Sequence, residues 1–385
     1  MKLTRRSVLQ GSAGALAAGG FAGCLDDVAQ GADGVESGYA AFFTLWDWTQ
    51  QVSGDAADFE NPVPTGNMGH GWEPEGDLVT DIAATDAFVY PDTPEFSWTQ
   101  DVAATLEADY DTVAVIDVLD GLEGEMLEWD HDPAHDDHED GGHDEHDDHD
   151  HEEEDHHEDD GHDHEEEDHH EEEDHHEDDG HDHEEEDNHE DDGHDDHDHG
   201  GNYDPHVWVD PVLAQDLVAN IADGLAEADP DNADTFEDNA ATYTDRLADL
   251  DQQFQTLVDD AERDVAVLAG HDSYTYLEDR YGFELHSPKG VSPQDEPTPA
   301  EISETIDLID EEGIDTILYD PFESSGADDL PTLAATILED SDATDAMPVS
   351  PAAGTLAEWA DDDWGYVEQM QEINVPAFRE ALGAQ

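Results

Sequence analysis

Four of the chain's 25 histidines, His70, His206, His271 and His286, stand outside a run of residues 131–199 that holds the other twenty-one. Three of the four share one kind of position. His70 sits in "GNMGHGWEP", a loop leading into a predicted helix, and His206 sits in "DPHVWVDP", before another. His271 follows the apolar run "VAVLAG", at the carboxyl end of a predicted strand. In open parallel sheets ligands bind beyond that end, so three such residues can converge on one cleft. Neutral imidazole is a good donor to a borderline-soft divalent ion, and three of them, with a fourth position left for water or a carboxylate, make a Zn²⁺ site. A lone loop histidine is more often a hydrogen-bonding residue; the shared setting of three is what points to a metal. His286 lacks that setting and is read as structural. His206 lies between Pro205 and a helix start at Asp210, an arrangement that pre-aims its ring and leaves little ordering entropy to lose on binding.

The elements that must carry these residues alternate between strand and helix. "YAAFFTL" (39–45) reads as a buried strand and residues 46–52 as a short helix. Leu78, Ile82 and Ala83 have helical spacing, "AFVY" is an apolar strand, and "SWTQDVAATLEAD" followed by "DTVAVIDV" repeats the step. Asp210 and Pro211 read as the N-cap and first residue of the helix "PVLAQDLVANIADGLAEAD". Phe236, Ala240, Tyr243, Leu247, Leu250, Phe254 and Leu257 then mark one unbroken amphipathic helix, roughly 40 Å long at 1.5 Å per residue, long enough to act as a strut. Alternation resumes with "VAVLAG", "SYTYLEDRYG" and "FELHS". Thr298 and Glu301 give the next helix a capping-box start, Gly313 ends it, and "IDTILYD" is a strand. The closing helix is predicted to break at Pro376. This pattern predicts an α/β protein with two parallel-sheet lobes.

Charge excludes some partners. There are 110 acidic residues against 8 basic ones; 41 of the acids lie in residues 130–199, and the 69 elsewhere still outnumber the basic residues many times over. Nucleic acid and anionic headgroups are excluded as partners. Molar salt shortens the Debye length to roughly 3 Å and removes most of the self-repulsion, so the excess reads as adaptation to a hypersaline medium. Within residues 131–199 the eighteen residues "HEEEDHHEDDGHDHEEED" occur at 151 and again at 170. A tract with so little to bury is predicted to be a disordered loop. Its histidines favour weak metal capture over a purely solvated charge run.

Lys2, Arg5 and Arg6 precede an Ala/Gly-rich stretch, and "TRRSVLQ" has the twin-arginine form of an export signal. Cys24, the sole cysteine, ends "FAGC", which resembles a lipobox, so it is the expected lipid anchor on the outer face of the cell membrane; no intrachain disulfide can form.

"PTGNMGHGWEP", "DPHVWVDP" and "GHDSYTYLEDRYGFE", with "YDPFESS" and "GYVEQMQEIN" more loosely, resemble segments of the metal-binding solute-binding lipoproteins of zinc and manganese ABC importers, of the zinc-uptake, cluster A-I type and haloarchaeal-like. The resemblance runs over about residues 39–385. It implies two Rossmann-like lobes joined by a long rigid helix, one metal in the cleft, and delivery to an ABC permease driven by its ATPase subunit. It also implies His70 and His206 as ligands from the first lobe and His271 from the second. Zinc is favoured over manganese by His271 and by the lack of Asp or Glu from Pro348 to Gly354. Asp320, where the family usually has Glu, is implied to line the cleft and is not taken as a ligand.

The resulting organisation is a signal (1–24), a tether (25–37), an N-terminal metal-binding lobe (38–229, with the loop at 130–201), a linking helix (230–262) and a C-terminal metal-binding lobe (263–385), acting as a monomer. Two other functions fit three histidines. A zinc hydrolase would keep an open metal position, but the chain has no His-Glu-x-x-His, nucleophile elbow or evident general base. A surface metal buffer would bind many ions with similar affinity, whereas a transport receptor binds one far more tightly.

Overall fold

The computed structural model describes residues 34–69, 71–74, 76–122, 124–127, 203–290, 296–326 and 329–384. His70, Cys24, the export signal and the repetitive tract lie outside them. The elements run β1 (Ser37–Ala40), α1 (Phe43–Ser53), β2 (Asp58–Glu60), α2 (Leu78–Ile82), β3 (Ala87–Tyr90), α3 (Ser97–Asp109), β4 (Ala114–Asp117), α4 (Leu213–Ala228), α5 (Ala233–Asp260), β5 (Val265–Ala269), α6 (Thr275–Tyr281), β6 (Glu284–His286), α7 (Pro299–Glu312), β7 (Thr316–Tyr319), α8 (Thr332–Asp340), β8 (Asp345–Pro348), α9 (Ala357–Asp361), α10 (Tyr366–Gln369) and α11 (Val375–Ala381).

The strands form two four-stranded sheets, ordered β2-β1-β3-β4 and β6-β5-β7-β8, and every pairing is parallel. Each sheet therefore changes direction of growth once, between β1 and β3 and between β5 and β7, and the crevice beyond the carboxyl ends there is where such sheets bind ligands. β3 and β5 are buried along their whole length, as central parallel strands covered on both faces should be.

α5 buries the seven apolar residues whose spacing marks it in the sequence. It packs on α1 and α4 of the first lobe and on α11 of the second, so a single core runs along it from Phe236 through Leu247 to Phe254 and Phe378. A smaller core, with Ile309, Ile317, Ala334 and Ile337, lies under α7 and α8. The capping box is present: the Thr298 hydroxyl accepts from the Glu301 amide and the Glu301 carboxylate accepts from the Thr298 amide.

Two local expectations are corrected and one is borne out. "YAAFFTL" is not one strand: β1 ends at Ala40 and α1 begins at Phe43, because this stretch is buried on all sides and apolar periodicity cannot separate a buried strand from a buried helix. Asp210 does stand as the predicted cap ahead of α4: its carbonyl accepts from the Ala214 amide, one carboxylate oxygen accepts from the Val212 amide, and the other is held by Arg280. The closing helix does not break at Pro376. A π turn at residues 370–374 separates α10 from α11, and Pro376 falls in the first turn of α11, where no amide is needed.

Candidate metal centre

In the second lobe the last paired residues of β5 and β7 are Ala269 and Tyr319, so the chain leaves both strands side by side at the point where the sheet changes direction. Gly270 permits the close approach: a Cβ there would lie 3.1 Å from the Asp320 Cβ. The next residue, His271, has its Nδ1 3.2 Å from Asp320 Oδ2. The other oxygen, Asp320 Oδ1, accepts from the Phe322 amide at 2.9 Å and starts a tight turn, residues 321–323. That turn brings Glu323 Oε1 to 3.8 Å from His271 Nδ1, and Lys289 Nζ holds the same oxygen at 2.7 Å. His271, Asp320 and Glu323 can each offer one atom such that all three lie within 4.8 Å of one another.

In the first lobe, Asp204 and Pro205 fold the chain so that Asp204 Oδ1 accepts from the His206 amide at 2.9 Å and lies 2.7 Å from His206 Nδ1. Trp208, two residues on, packs against the mutually stacked rings of Phe42 and Phe96 (ring centroids 4.9 and 5.8 Å away) and donates from Nε1 to the Pro351 carbonyl of the other lobe at 2.9 Å. His206 and His271 are both essentially inaccessible, and their ring centroids are 5.5 Å apart. Each imidazole thus faces a buried aspartate through Nδ1. Carboxylates in that position fix the neutral tautomer with its proton on Nδ1 and present the Nε2 lone pair, the arrangement by which proteins aim histidine at zinc.

The electrostatics of the two rings differ. Burial, only partly offset by Asp204, holds His206 below its ordinary range and keeps it neutral. Burial also opposes charge on His271, but Asp320 and Glu323 together outweigh it and raise the ring to about 9. Glu323 moves the opposite way: burial opposes its charge, and His271 and Lys289 outweigh that.

His70 lies outside the described residues, but the chain leading to it is described. Gly66 and Gly69 donate to the carbonyls of Thr355 and Ala353, and Met68 bridges to Gly354, so a second-lobe segment braces this first-lobe loop. At Gly69 a Cβ would meet the ring of Phe96 at 2.7 Å and the Cβ of Phe42 at 2.9 Å. The position before His70 therefore has no room for a side chain and belongs to the aromatic cluster that also supports Trp208. The fourth isolated histidine, His286, places Nε2 2.9 Å from Thr305 Oγ1 on α7.

Sequence reasoning did not find Asp204, Glu323 or Lys289. The first had a signal, an Asp-Pro turn starting two residues before the histidine. The rarity of lysine in this chain was a signal for the third. Nothing local marks Glu323, which reaches His271 only through the pairing of β5 with β7.

Residues 39–381 match the family model described as "ZnuA: Zinc-uptake complex component A periplasmic". The zinc-binding lipoprotein AdcA of Streptococcus pneumoniae is 29% identical over 291 residues, covering 75% of this chain and 46% of that protein. The high-affinity zinc uptake system protein ZnuA of Bacillus subtilis is 31% identical over 179 residues, covering 46% and 53%. The chain spans about half the length of the curated relatives it matches. Among solved structures, the Zn(II)-bound ZnuA-like domain of Streptococcus pneumoniae AdcA superposes with a TM-score of 0.61 at 23% identity, covering 91% of this chain and 99% of that one. The metal-dependent lipoprotein YcdH of Bacillus subtilis gives 0.62 at 21%, covering 90% and 99%. Both share the two-lobe fold.

Proposed function

The chain belongs to the zinc-uptake complex component A family, and from that premise we propose that it is an extracytoplasmic solute-binding protein that captures Zn²⁺ and delivers it to an ABC permease worked by its ATPase subunit. The observation carrying the reading is that His206 and His271, from opposite lobes, bring their rings to 5.5 Å with a buried aspartate on the Nδ1 of each. His70, at the end of the loop braced by residues 353–355, is the proposed third ligand, and Asp320 lines the site as the partner of His271. The two lobes at 38–229 and 263–385, joined by residues 230–262, are the units that share the ion.

A receptor fits the chain better than a hydrolase because the sequence carries no His-Glu-x-x-His motif and no nucleophile elbow, and the carboxylates near the rings serve to position them. Asp204 is on His206, Asp320 is on His271 and the Phe322 amide, and Glu323 is on Lys289. Imidazole donors favour zinc over manganese, which prefers oxygen. The finer parts of the reading rest on sequence: export by the twin-arginine signal, anchoring through Cys24, adaptation to high salt, the cluster A-I subtype, a monomeric state, and weak gathering of zinc by the tract at 131–199. Competition titration tests the whole. One tight equivalent of zinc that weakens at least a hundredfold in His206→Ala and His271→Ala supports the receptor. Many equal equivalents indifferent to both substitutions would make the chain a buffer.

A further inference from the structure

The segment that carries His206 is gripped at both ends by one face of a helix from the other lobe. Tyr276 and Arg280 are four residues apart on α6, so they share a face. Tyr276 Oη donates to the Asp204 carbonyl at 2.7 Å, two residues before His206. Arg280 takes the Asp210 carboxylate through Nε at 2.8 Å and Nη2 at 2.6 Å, four residues after His206. The tyrosine hydroxyl also accepts from the Leu127 amide at 3.1 Å, and the Asp204 amide donates to the Leu127 carbonyl at 3.0 Å. One hydroxyl therefore fastens the last described residue before the 128–202 segment to the turn that resumes after it. Tyr276 and Asp204 are both buried, so water cannot replace these bonds cheaply.

α6 starts four residues after His271, which ties the clamp to the other proposed ligand. Asp204 is the element in common: its carbonyl is held by Tyr276 while its carboxylate holds the His206 ring. A shift of the Asp204 backbone moves the oxygen that aims the imidazole. We infer that Tyr276 and Arg280 are positioning residues that set His206 against His271 across the two lobes, acting through Asp204 and Asp210 and touching no metal themselves. This rests on the reading of His206 and His271 as ligands.

The full chain is tested as Tyr276→Phe, which keeps the buried ring and removes only the hydroxyl, and as Arg280→Met, with His206→Ala and His271→Ala as controls. Zinc affinity is read by competition titration, site geometry by the visible ligand-field bands of the Co²⁺-loaded protein, and folding by Tm. Loss of such outer partners costs on the order of 10- to 100-fold in metal affinity. Tyr276→Phe is expected to weaken zinc about tenfold and to shift the Co²⁺ bands, and to cost nothing further once His206 is already replaced. Wild-type affinity and wild-type bands in Tyr276→Phe, with both controls still weakened, would overturn the clamp alone. An affinity loss in Tyr276→Phe that persists undiminished in the His206→Ala background would also overturn it, since the tyrosine would then act by another route. Controls that bind like the wild type would overturn the site reading instead.

Discussion

Asp320 Oδ2 lies 3.2 Å from His271 Nδ1 because β5 and β7 are paired to their last residues and Gly270 leaves no side chain between the two chains. The contact is the meeting of two strand ends 49 positions apart in sequence, and it sets the protonation of the second-lobe ring.

The first prediction concerns pH. With Asp320 and Glu323 beside it, His271 is raised to about 9 from an ordinary 6.5, so in the metal-free protein the ring is charged at neutral pH and Zn²⁺ must displace its proton. Zinc affinity should rise about tenfold per pH unit between 6.5 and 9 and level off above. Calorimetry in buffers of different ionisation enthalpy should count about one proton released at pH 7. Asp320→Asn should flatten the dependence. Stability follows the same shift: a raised pKa contributes stability that is fully present below 6.5 and is lost as pH rises through about 9, so the metal-free protein should weaken across that window.

A second pH effect lies on α6. Burial, reinforced by Asp272, pushes Glu278 from 4.5 to about 8, although its Oε1 accepts from the Leu285 amide. The sign again favours acid: the contribution is complete below 4.5 and is lost as pH rises through 8. Glu278→Gln keeps the acceptor and removes the charge. It should raise Tm by about 2–4 °C at pH 8 and by less than about 1 °C at pH 4.5, a difference that thermal melts at the two pH values will read.

Two glycines separate stability from binding. In Gly354→Ala the new Cβ would strike the Asn67 carbonyl, part of the backbone leading to His70. The variant should lose about 1–3 kcal/mol of stability and also bind zinc more weakly. In Gly224→Ala the Cβ meets the Ile116 side chain at 2.6 Å, on α4 against β4. This variant should lose about 1–2 kcal/mol of stability, because both atoms struck are bonded to the stiff, branched Cβ of Ile116, and leave zinc affinity alone. Denaturant unfolding and zinc titration on both variants make the comparison.

Charge gives a third handle. With 110 acidic and 8 basic residues, self-repulsion should dominate at low ionic strength and fade as salt screens it. Tm should rise on the order of 10 °C between 0.1 and 2 M KCl.

The sequence carried the alternation of elements, the α5 stripe and the Thr298 capping box, because each is written in residues a few positions apart. It carried His206 and His271, the two rings that meet across the lobes, for the same reason, each standing beside a local strand or helix signal. The start of α1 at Phe43 and the π turn before Pro376 were not legible, since burial on every side erases periodicity in the one, and in the other the proline marks a helix start whose preceding turn leaves no local signal. The partners of the histidines divide the same way. Asp204 is two residues from His206 and could be read; Asp320 was read only through the family resemblance, and Glu323 and Lys289 reach His271 only through strand pairing and a turn. Asp210 could be read as a helix cap, but its other partner, Arg280, is 70 residues away and could not.

The central claim is that imidazoles from both lobes bind one ion, and zinc K-edge X-ray absorption tests it most directly. The sample is the protein lacking residues 131–199, a deletion whose flanks are already joined through Leu127 and Asp204, loaded with one equivalent of zinc. Three imidazole nitrogens at about 2.0–2.1 Å, falling to two in His206→Ala and to two in His271→Ala, is the predicted result. A first shell that either substitution leaves unchanged would contradict the account.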